Sequence, residues 1–459
     1  MSYAQKCPTL VYEVVPDRFD PHAGVPPLQA LRKRLDHLRR LGVDGLTLTP
    51  VFPSPDPLRL HTSDFFRVDP ALGSEEDLSA LCTDANERGI SVILMGVFDH
   101  VSSSHPWFEA ACTQGEAEEA RFPPEQRTRR YFTFGGEFSH GYACRDMSAG
   151  QPELDLKNAE VRRRLFTGED SVLHHWLHLG ANGWRILRAD HVGYSILRES
   201  SRGSLTVEGD HFVIGDIKGF ADRYVRDGLL DGVVNHYLRE AILSYLRGQV
   251  PARQLARVLH DLSTRYGRAL ARSWNLLSGY DTPRLSKLVG DPRRARLGVL
   301  LGYTLPGAAH ILYGDEVGLG RRSADPLPDM SWDPRHWDDD VLDLYVRLGH
   351  LRRARALRHG DFVDLTPEGE EEILAFARVT NDPRETVLVV VNRAAQTRVR
   401  KLFAPVCDLP DGLRLRDVLR GPGAAVRSGS ITLDIEGQDV RILVPDDNDE
   451  AGARFFRGY

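Results

Sequence analysis

The chain has 459 residues, of which 41% are hydrophobic and 27% charged, and its formal net charge at pH 7 is −6. This length and composition exclude a disordered or fibrous protein and allow a large core with a second domain. Because the net charge is small and arginine is spread along the chain, neither nucleic acid nor a membrane is indicated as a partner, and a neutral ligand fits better.

The cysteines and the N-terminus bear on the compartment. Five cysteines, an odd number without a CxxC pair, argue against a disulfide framework and against a zinc site. The N-terminus lacks the basic start and long apolar stretch of an export signal, and no apolar run is long enough to span a membrane. We therefore predict a cytoplasmic protein.

Short apolar runs alternate with helical periodicity from the start of the chain. The run LVYEVV (10–15) is followed by leucines at three- and four-residue spacing over 28–41, which predict a helix. After the run GLTLTP (45–50), Ser74 and Asp77 have the spacing of a capping box and begin a further helix. This order predicts strand, helix, strand, helix.

The alternation continues, with one interruption, to about residue 360. Eight strands buried on both faces, alternating with helices, predict a closed (β/α)8 barrel, the TIM barrel, over residues 1–360. Residues 101–157, rich in Gly, Pro and charge, follow the third strand and are predicted to be a functional excursion. Strands with turn signals over residues 361–459 predict a C-terminal antiparallel β-sandwich domain.

Ligands of such a barrel bind at the carboxyl ends of the strands, so the residues there are candidates for a site. These candidates are Asp17, Arg18, His100, Arg185, Leu187, Asp190, His191, Asp216, Tyr280 and Asp281. For Asp17 and Arg18 we expect a buried ion pair that closes the barrel, with ligand binding as the alternative.

Seven segments follow one another in a characteristic order. They are YEVVPDRF, VDPALGSEEDLSALCTDANERGISVILMGVFDHVSSSHPWF, PELDLKNAEVRR, GWRIL, VIGDI, LSGYDTPRL and LPGAAHILYGDEVGL. In this order they resemble the landmark segments of glycoside hydrolase family 13, the α-amylase superfamily, and within it the neopullulanase and cyclomaltodextrinase group. The resemblance covers essentially the whole chain and implies a role in carbohydrate metabolism.

The family's retaining mechanism implies an Asp nucleophile after the fourth strand, a Glu acid/base after the fifth and an Asp near the seventh. Here Leu187 stands at the nucleophile's place, and Asp216 is one methylene shorter than the Glu. Asp281 is retained, but Tyr280 replaces the His before it. The nucleophile and the acid of a retaining pair must lie about 5–5.5 Å apart, and the shorter Asp216 would draw the proton donor back. Asp216 and Asp281 are therefore interpreted as remnants of the catalytic set.

The resemblance also implies substrate-binding positions. These are His100, Arg185, His191 and Tyr280. His100 is either a satisfied core histidine or a sugar-binding group, and His191 either contacts sugar or lies in a surface loop. Arg185 lacks its usual partner, and because an unpaired buried Arg is costly we expect it to pair with Asp281 or Asp216.

The positions that stack on the sugar or contact a metal in the family also differ from the family pattern. Leu60 aligns with the Tyr that stacks on the sugar, and Trp107, Phe108 and Tyr142 in the excursion are candidates for another ring platform. Asp99 stands where an Asn contacts calcium in many relatives, but no further ligands can be identified. We therefore predict no metal and no cofactor, with calcium as an unsupported alternative.

Three functions remain open. The favoured hypothesis is a catalytically degenerate protein that binds a neutral carbohydrate, such as an α-glucoside or malto-oligosaccharide, or a protein partner, without hydrolysis. The alternative is an active α-glucoside hydrolase or transglycosylase that uses altered carboxylates, namely Asp216, Asp281 and Asp190, which lies three residues past the nucleophile's place. The second alternative is a regulatory or structural interaction module.

Overall fold

The computed structural model describes residues 7–114, 122–123, 126–204, 207, 209, 211–323 and 325–446. The chain divides into two units, residues 1–234 with 327–336 and residues 235–326 with 337–459. Within the described ranges, no helix combines the length and the apolar character needed to cross a membrane.

Eight parallel strands form a closed barrel in sequence order. The strands are β1 (Leu10–Val14), β2 (Gly45–Leu48), β3 (Ser91–Gly96), β4 (Gly183–Ile186), β5 (Phe212–Ile217), β6 (Gly232–Asn235), β7 (Trp274–Asn275) and β8 (Ala308–Leu312). Nearly all of their residues are buried, because barrel strands are covered by the interior on one face and by helices on the other. The predicted barrel is confirmed.

Helices alternate with these strands. Those of the first unit are α1 (Pro16–Phe19), α2 (Pro27–Lys33), α3 (Leu35–Arg40), α4 (Glu75–Glu87), α5 (Pro106–Thr113), α6 (Ala159–Arg162), α7 (Val172–His178), α8 (Ala189–Val192), α9 (Tyr194–Ser204) and α10 (Asp222–Arg226). Those of the second unit are α11 (His236–Leu246), α12 (Ala252–Tyr266), α13 (Leu285–Val289), α14 (Pro292–Thr304), α15 (Leu319–Arg322), α16 (Asp339–Leu351) and α17 (Arg355–His359). Short helical turns lie at Thr128–Tyr131, Arg145–Met147, Arg163–Thr167, Gly267–Arg272, Asp315–Val317, Pro334–His336, Pro383–Glu385 and Pro405–Cys407.

Two helix predictions can be compared with these bounds. The capping box is present: Ser74 Oγ accepts a hydrogen bond from the Asp77 backbone N–H, and the Asp77 carboxylate accepts one from the Ser74 N–H. The helix predicted over 28–41 is interrupted at Arg34, which leaves two shorter helices, α2 and α3. The guanidinium Nε of Arg34 donates to Asp20 at 2.8 Å.

The C-terminal part of the second unit is an antiparallel sheet of eight strands. They are β9 (Asp361–Asp364), β10 (Ile373–Val379), β11 (Val387–Asn392), β12 (Arg398–Phe403), β13 (Arg414–Asp417), β14 (Gly421–Arg427), β15 (Ser430–Ile435) and β16 (Asp439–Pro445). The sheet order is β12, β15, β14, β13, β16, β11, β10, β9, and the sheet curls around one apolar core. The predicted antiparallel domain is confirmed, and its strands form one continuous curled sheet, since β14 pairs with both β13 and β15.

The prediction that Asp17 and Arg18 form a buried ion pair with each other is wrong. Arg18 donates to Asp329 at 2.9 Å, and both side chains are 45% exposed. Asp17 accepts from Arg59, a buried arginine whose Nε also lies 2.6 Å from Asp69. Because neighbouring residues of the α1 turn point in different directions, the two charges find separate partners.

The excursion after β3 packs around its own aromatic rings. The centroid of the Phe108 ring lies 5.0 Å from that of Phe132 and 4.7 Å from that of Tyr142. The centroid of the Trp107 ring lies 4.7 Å from that of His105 and 5.6 Å from that of Tyr131. The rings considered for a sugar platform therefore pack on other side chains, Trp107 also on Phe65 outside the excursion, and a stacking role for them stays a prediction.

His105, in the excursion, makes the folding stability of the protein depend on pH. Its ring is buried, and its Nδ1 accepts a hydrogen bond of 3.1 Å from the Trp107 N–H at the start of α5. Burial lowers the pKa of His105 to about 3. The unfolded chain therefore binds a proton near pH 6.5 that the folded chain does not bind, so stability is complete above about pH 6.5 and is lost as pH falls towards 3.

We expect the free energy of unfolding to fall by about 1.4 kcal/mol per pH unit below pH 6.5 because of this residue. His105→Asn keeps an acceptor at the helix start and removes the titrating group. Urea unfolding of both proteins at pH 7.5, 6 and 5 should give a smaller decrease for the variant. Equal decreases would contradict the assignment.

Candidate active site

Leu187 directly follows β4 and is buried. Its backbone N–H donates to the carbonyl of Gly96 at the end of β3, at 2.9 Å, and its side chain is 4% exposed. The strand begins at Gly183, where a Cβ atom would come within 2.5 Å of the Phe212 carbonyl oxygen on β5. The close β4–β5 pairing therefore requires glycine there, and Leu187 presents only apolar atoms at the strand end.

Arg185 is fully buried between two carboxylates. Its Nε and Nη2 donate to Asp216 Oδ2 at 3.2 and 2.6 Å, and its Nη1 donates to Glu13 Oε2 at 2.5 Å. The exposed fractions of the Arg185 and Glu13 side chains are both 0%. Pairing with Asp216 is one of the two expected outcomes, whereas Glu13 was not singled out from the sequence.

A signal for Glu13 was present. It is a charged residue within the apolar run of β1, and a fully buried Glu is rare unless it is paired. Arg185, Glu13 and Asp216 form what we call the buried triad. Both nitrogens that Arg185 donates to Asp216 bind the same oxygen of that carboxylate.

Asp99 and His100 form a second buried group at the end of β3. Asp99 Oδ1 accepts from His100 Nδ1 at 2.8 Å, and its other oxygen accepts from the Arg145 guanidinium. His100 bonds to Asp99 through Nδ1, which leaves Nε2 as its second ring nitrogen. That atom is buried and has no hydrogen-bond partner among the described residues.

These contacts bear on calcium. The resemblance implies calcium near Asp99, but the Arg145 guanidinium binds this carboxylate, so the residues present do not fit a cation there. No group of three His, Cys, Asp or Glu side chains in the described part of the chain is arranged to hold a metal ion. Arg145 lies in the excursion, 46 positions from Asp99, and no local pattern indicated it.

His61 is a further imidazole that the sequence did not single out. Its ring centroid lies 5.5 Å from that of His100. Burial lowers the pKa of His61; the nearby Asp56 opposes this shift, and His100 adds to it. Leu60, the residue before it, is half-buried and donates its backbone N–H to Asp56 at 2.9 Å. Leu60 thus directly precedes one of a pair of neighbouring imidazoles.

The residues after Leu187 turn away from the strand. Arg188 has a φ of 51°, and its Nη2 donates to His191 Nε2 at 3.4 Å. Its Nε also lies 3.9 Å from Asp99 Oδ2. Asp190 and His191 are exposed, and Asp190 acts electrostatically on Tyr224 of α10. Asp190 therefore lies on the turn after the strand end, as its position in the sequence suggests.

Tyr280 and Asp281 belong to the second unit, on the loop after β7. Tyr280 is buried, with 8% of its surface exposed, whereas Asp281 is exposed. Burial lowers the pKa of Arg239 in the same unit, and the charges of Glu240 and Asp281 oppose this shift. The catalytic and binding roles implied for these two residues stay predictions.

Comparison with known proteins identifies the family. The sequence profile of the α-amylase catalytic domain matches residues 13–343. A cyclomaltodextrinase of Geobacillus thermopakistaniensis (strain MAS1) is 30% identical over 373 residues, which are 80% of this chain and 62% of that protein. The crystal structure of Ttha1563 from Thermus thermophilus has a TM-score of 0.82 at 26% identity, covering 97% of this chain and 100% of that one.

A further solved structure carries a ligand. The cyclic α-maltosyl-(1→6)-maltose hydrolase of Arthrobacter globiformis, in complex with maltose, has a TM-score of 0.78 at 23% identity and covers 95% of this chain and 98% of that one. This chain spans 62% of the length of the cyclomaltodextrinase. Because the profile match extends over well more than half of its residues, the chain belongs to the α-amylase family, glycoside hydrolase family 13, and is related to the cyclomaltodextrinases.

Proposed function

We propose that this protein binds α-glucosides such as malto-oligosaccharides and does not hydrolyse them by double displacement. The observation that carries the proposal is the pair of residues at the ends of β4 and β5. Leu187 offers no nucleophile, and Asp216 is bound through one oxygen by two nitrogens of Arg185. A retaining hydrolase needs one carboxylate to attack and a second carboxylic acid to protonate the leaving oxygen.

Sugar binding is supported by other groups in the first unit. The Nε2 atom of His100 is buried without a hydrogen-bond partner in the described part of the chain, and a sugar hydroxyl, which both donates and accepts, can bond to it. Buried polar atoms without partners are costly, which favours a ligand or a water there. The names of the relatives point to maltodextrins as the class of substrate. The cytoplasmic location predicted from the cysteines belongs to this proposal.

The comparisons taken alone favour the second candidate, an active α-glucoside hydrolase or transglycosylase. The cyclomaltodextrinase and the maltose-bound homologue are hydrolases by name. Such an enzyme would use Asp216, Asp281 or Asp190 in place of the family's Asp nucleophile and Glu acid/base. It would have to release Asp216 from Arg185 before that side chain could act as an acid. The regulatory or structural module remains a third candidate.

Calorimetric titration with maltotriose, beside a sensitive assay for reducing sugar, tests the proposal. We expect the titration to show binding that His100→Ala weakens by about tenfold or more, because one hydrogen bond in a closed site is lost. We expect no sugar release above the level without protein. Release that is lost in Asp216→Asn or Asp190→Ala would establish the second candidate instead. If maltotriose is neither bound nor cleaved, the third candidate, a regulatory or structural module, is favoured.

A further inference from the structure

The second unit contains a cavity of about 510 Å³, and none of its lining residues belongs to the candidate site. Helices α14 and α16 supply much of its wall, together with the segments after β7 and β8 and residues 419–420. Sites for small molecules have volumes of about 300–1,000 Å³. The cavity is therefore large enough for a ligand.

Polar side chains are present in this wall. Tyr303 is 2% exposed, and its hydroxyl has no hydrogen-bond partner among the residues that the structure describes. Asp315 also lines the cavity and accepts from Arg284 at 2.7 Å. Tyr345 packs edge to face on Tyr303, with ring centroids 5.9 Å apart. Two hydroxyl groups and a carboxylate therefore supply both donors and acceptors of hydrogen bonds.

An unpartnered buried hydroxyl is informative. Burial of a polar group without a hydrogen bond costs about 1–3 kcal/mol, so such groups in folded proteins usually have a partner. Burial raises the pKa of both Tyr303 and Tyr345 well above the ordinary value, so both side chains are neutral hydroxyls at pH 7. A ligand with hydroxyl groups would provide a hydrogen-bond partner for the Tyr303 hydroxyl.

The charges in the wall do not favour a ligand of one sign. Four arginines and four aspartates line the cavity, and their formal charges cancel. Three of the four arginines have partners: Arg296 donates to Asp439 at 2.8 Å, and Arg420 donates to Glu436 at 2.5 Å. Arg347 donates to two backbone carbonyls at 3.0 Å. A phosphate or a carboxylate would have to displace these bonds.

The remaining wall is apolar, with side chains such as Leu277, Leu285 and Val299. A sugar ring matches this mixture, because its hydroxyls both donate and accept while its C–H faces pack on apolar and aromatic groups. We propose that this cavity binds a small neutral polyhydroxylated molecule, a mono- or disaccharide, as a second site independent of the first. The proposal does not depend on the function proposed above.

Calorimetry and thermal unfolding with maltose and glucose test the second site, with octanoate and inorganic phosphate as probes of the other ligand classes. In His100→Ala, where binding at the first site is weakened, we expect maltose still to bind and to raise the melting temperature. Adding Tyr303→Phe should weaken this binding by about tenfold, the equivalent of one hydrogen bond. Adding Val299→Phe, which fills the cavity, should abolish it.

Tyr245→Phe is the matched control. Tyr245 is a buried tyrosine of the same unit, but it does not line the cavity, and its hydroxyl donates a hydrogen bond to the Glu372 carbonyl. It should lower the melting temperature and leave maltose binding unchanged, whereas Tyr303→Phe should not lower the melting temperature. Sugar binding that Tyr303→Phe and Val299→Phe leave unchanged overturns the second site and leaves the function proposed above intact. Tighter binding of octanoate or phosphate than of either sugar also overturns it.

Discussion

The double variant Leu187→Asp with Asp216→Glu is expected to release reducing sugar from maltotriose, while the unmodified protein releases none above background. The first change supplies a carboxylate that can attack the anomeric carbon. The second lengthens the acid by one methylene towards the leaving oxygen. Because general acid catalysis contributes about 10²–10⁴-fold, Leu187→Asp alone should remain slower than the double variant by about that factor.

The charges of the buried triad affect the stability of this double variant. Arg185 already binds Glu13 and Asp216, so an Asp at the buried position 187 would add a third buried carboxylate to two that share one guanidinium. Uncompensated buried charge is strongly destabilising. We therefore expect the triple variant that also carries Glu13→Gln to be both more stable and more active than the double variant.

Rates of sugar release from maltotriose and from p-nitrophenyl α-glucoside, measured beside the melting temperature of each variant, check this result. Leu187→Asn with Asp216→Glu is the matched control, because Asn has nearly the shape of Asp and cannot form the glycosyl ester. Activity in this control equal to that of the double variant would refute the assignment of position 187. So would strong activity of the unmodified protein that persists in Leu187→Ala and is lost in Asp190→Ala.

Removal of the guanidinium at position 185 is expected to cost about 3–5 kcal/mol of folding stability, because Glu13 and Asp216 would remain buried without a counter-charge. Arg185→Met keeps much of the side-chain volume and removes the charge. Denaturant unfolding at pH 7 measures the loss. The triple change that adds Glu13→Gln and Asp216→Asn should recover most of it, since no buried charge is then left uncompensated.

Arg18→Met is the matched control for this prediction. Arg18 forms an ion pair with Asp329, but both side chains are 45% exposed, and exposed pairs contribute about 0–1 kcal/mol. If Arg185→Met costs no more than Arg18→Met, the triad does not stabilise the fold. If the added Glu13→Gln and Asp216→Asn changes fail to restore stability, the loss arises from packing and not from charge.

Local patterns in the sequence were sufficient for the barrel and for part of the site. The capping box of Ser74 and Asp77 joins residues three apart, and the apolar runs determine which strands are buried on both faces. Leu187 follows β4 directly, so its place at the strand end could be read from the position of the run. The pairing of Arg185 with Asp216 was one of two expected outcomes, because a buried Arg needs a carboxylate.

The remaining partners were decided by the tertiary structure. Glu13 and Arg185 are 172 positions apart, Arg145 and Asp99 are 46 apart, and Asp17 and Arg18 turned to partners other than each other. Strand and helix periods of 2 and 3.6 residues say which face a side chain occupies, but not which distant side chain meets it there. The sequence by itself determined the barrel and the antiparallel domain, since these depend on local periodicity and residue type. Only the folded chain decided which charges neutralise one another and where a cavity remains, because both depend on contacts between residues far apart in sequence.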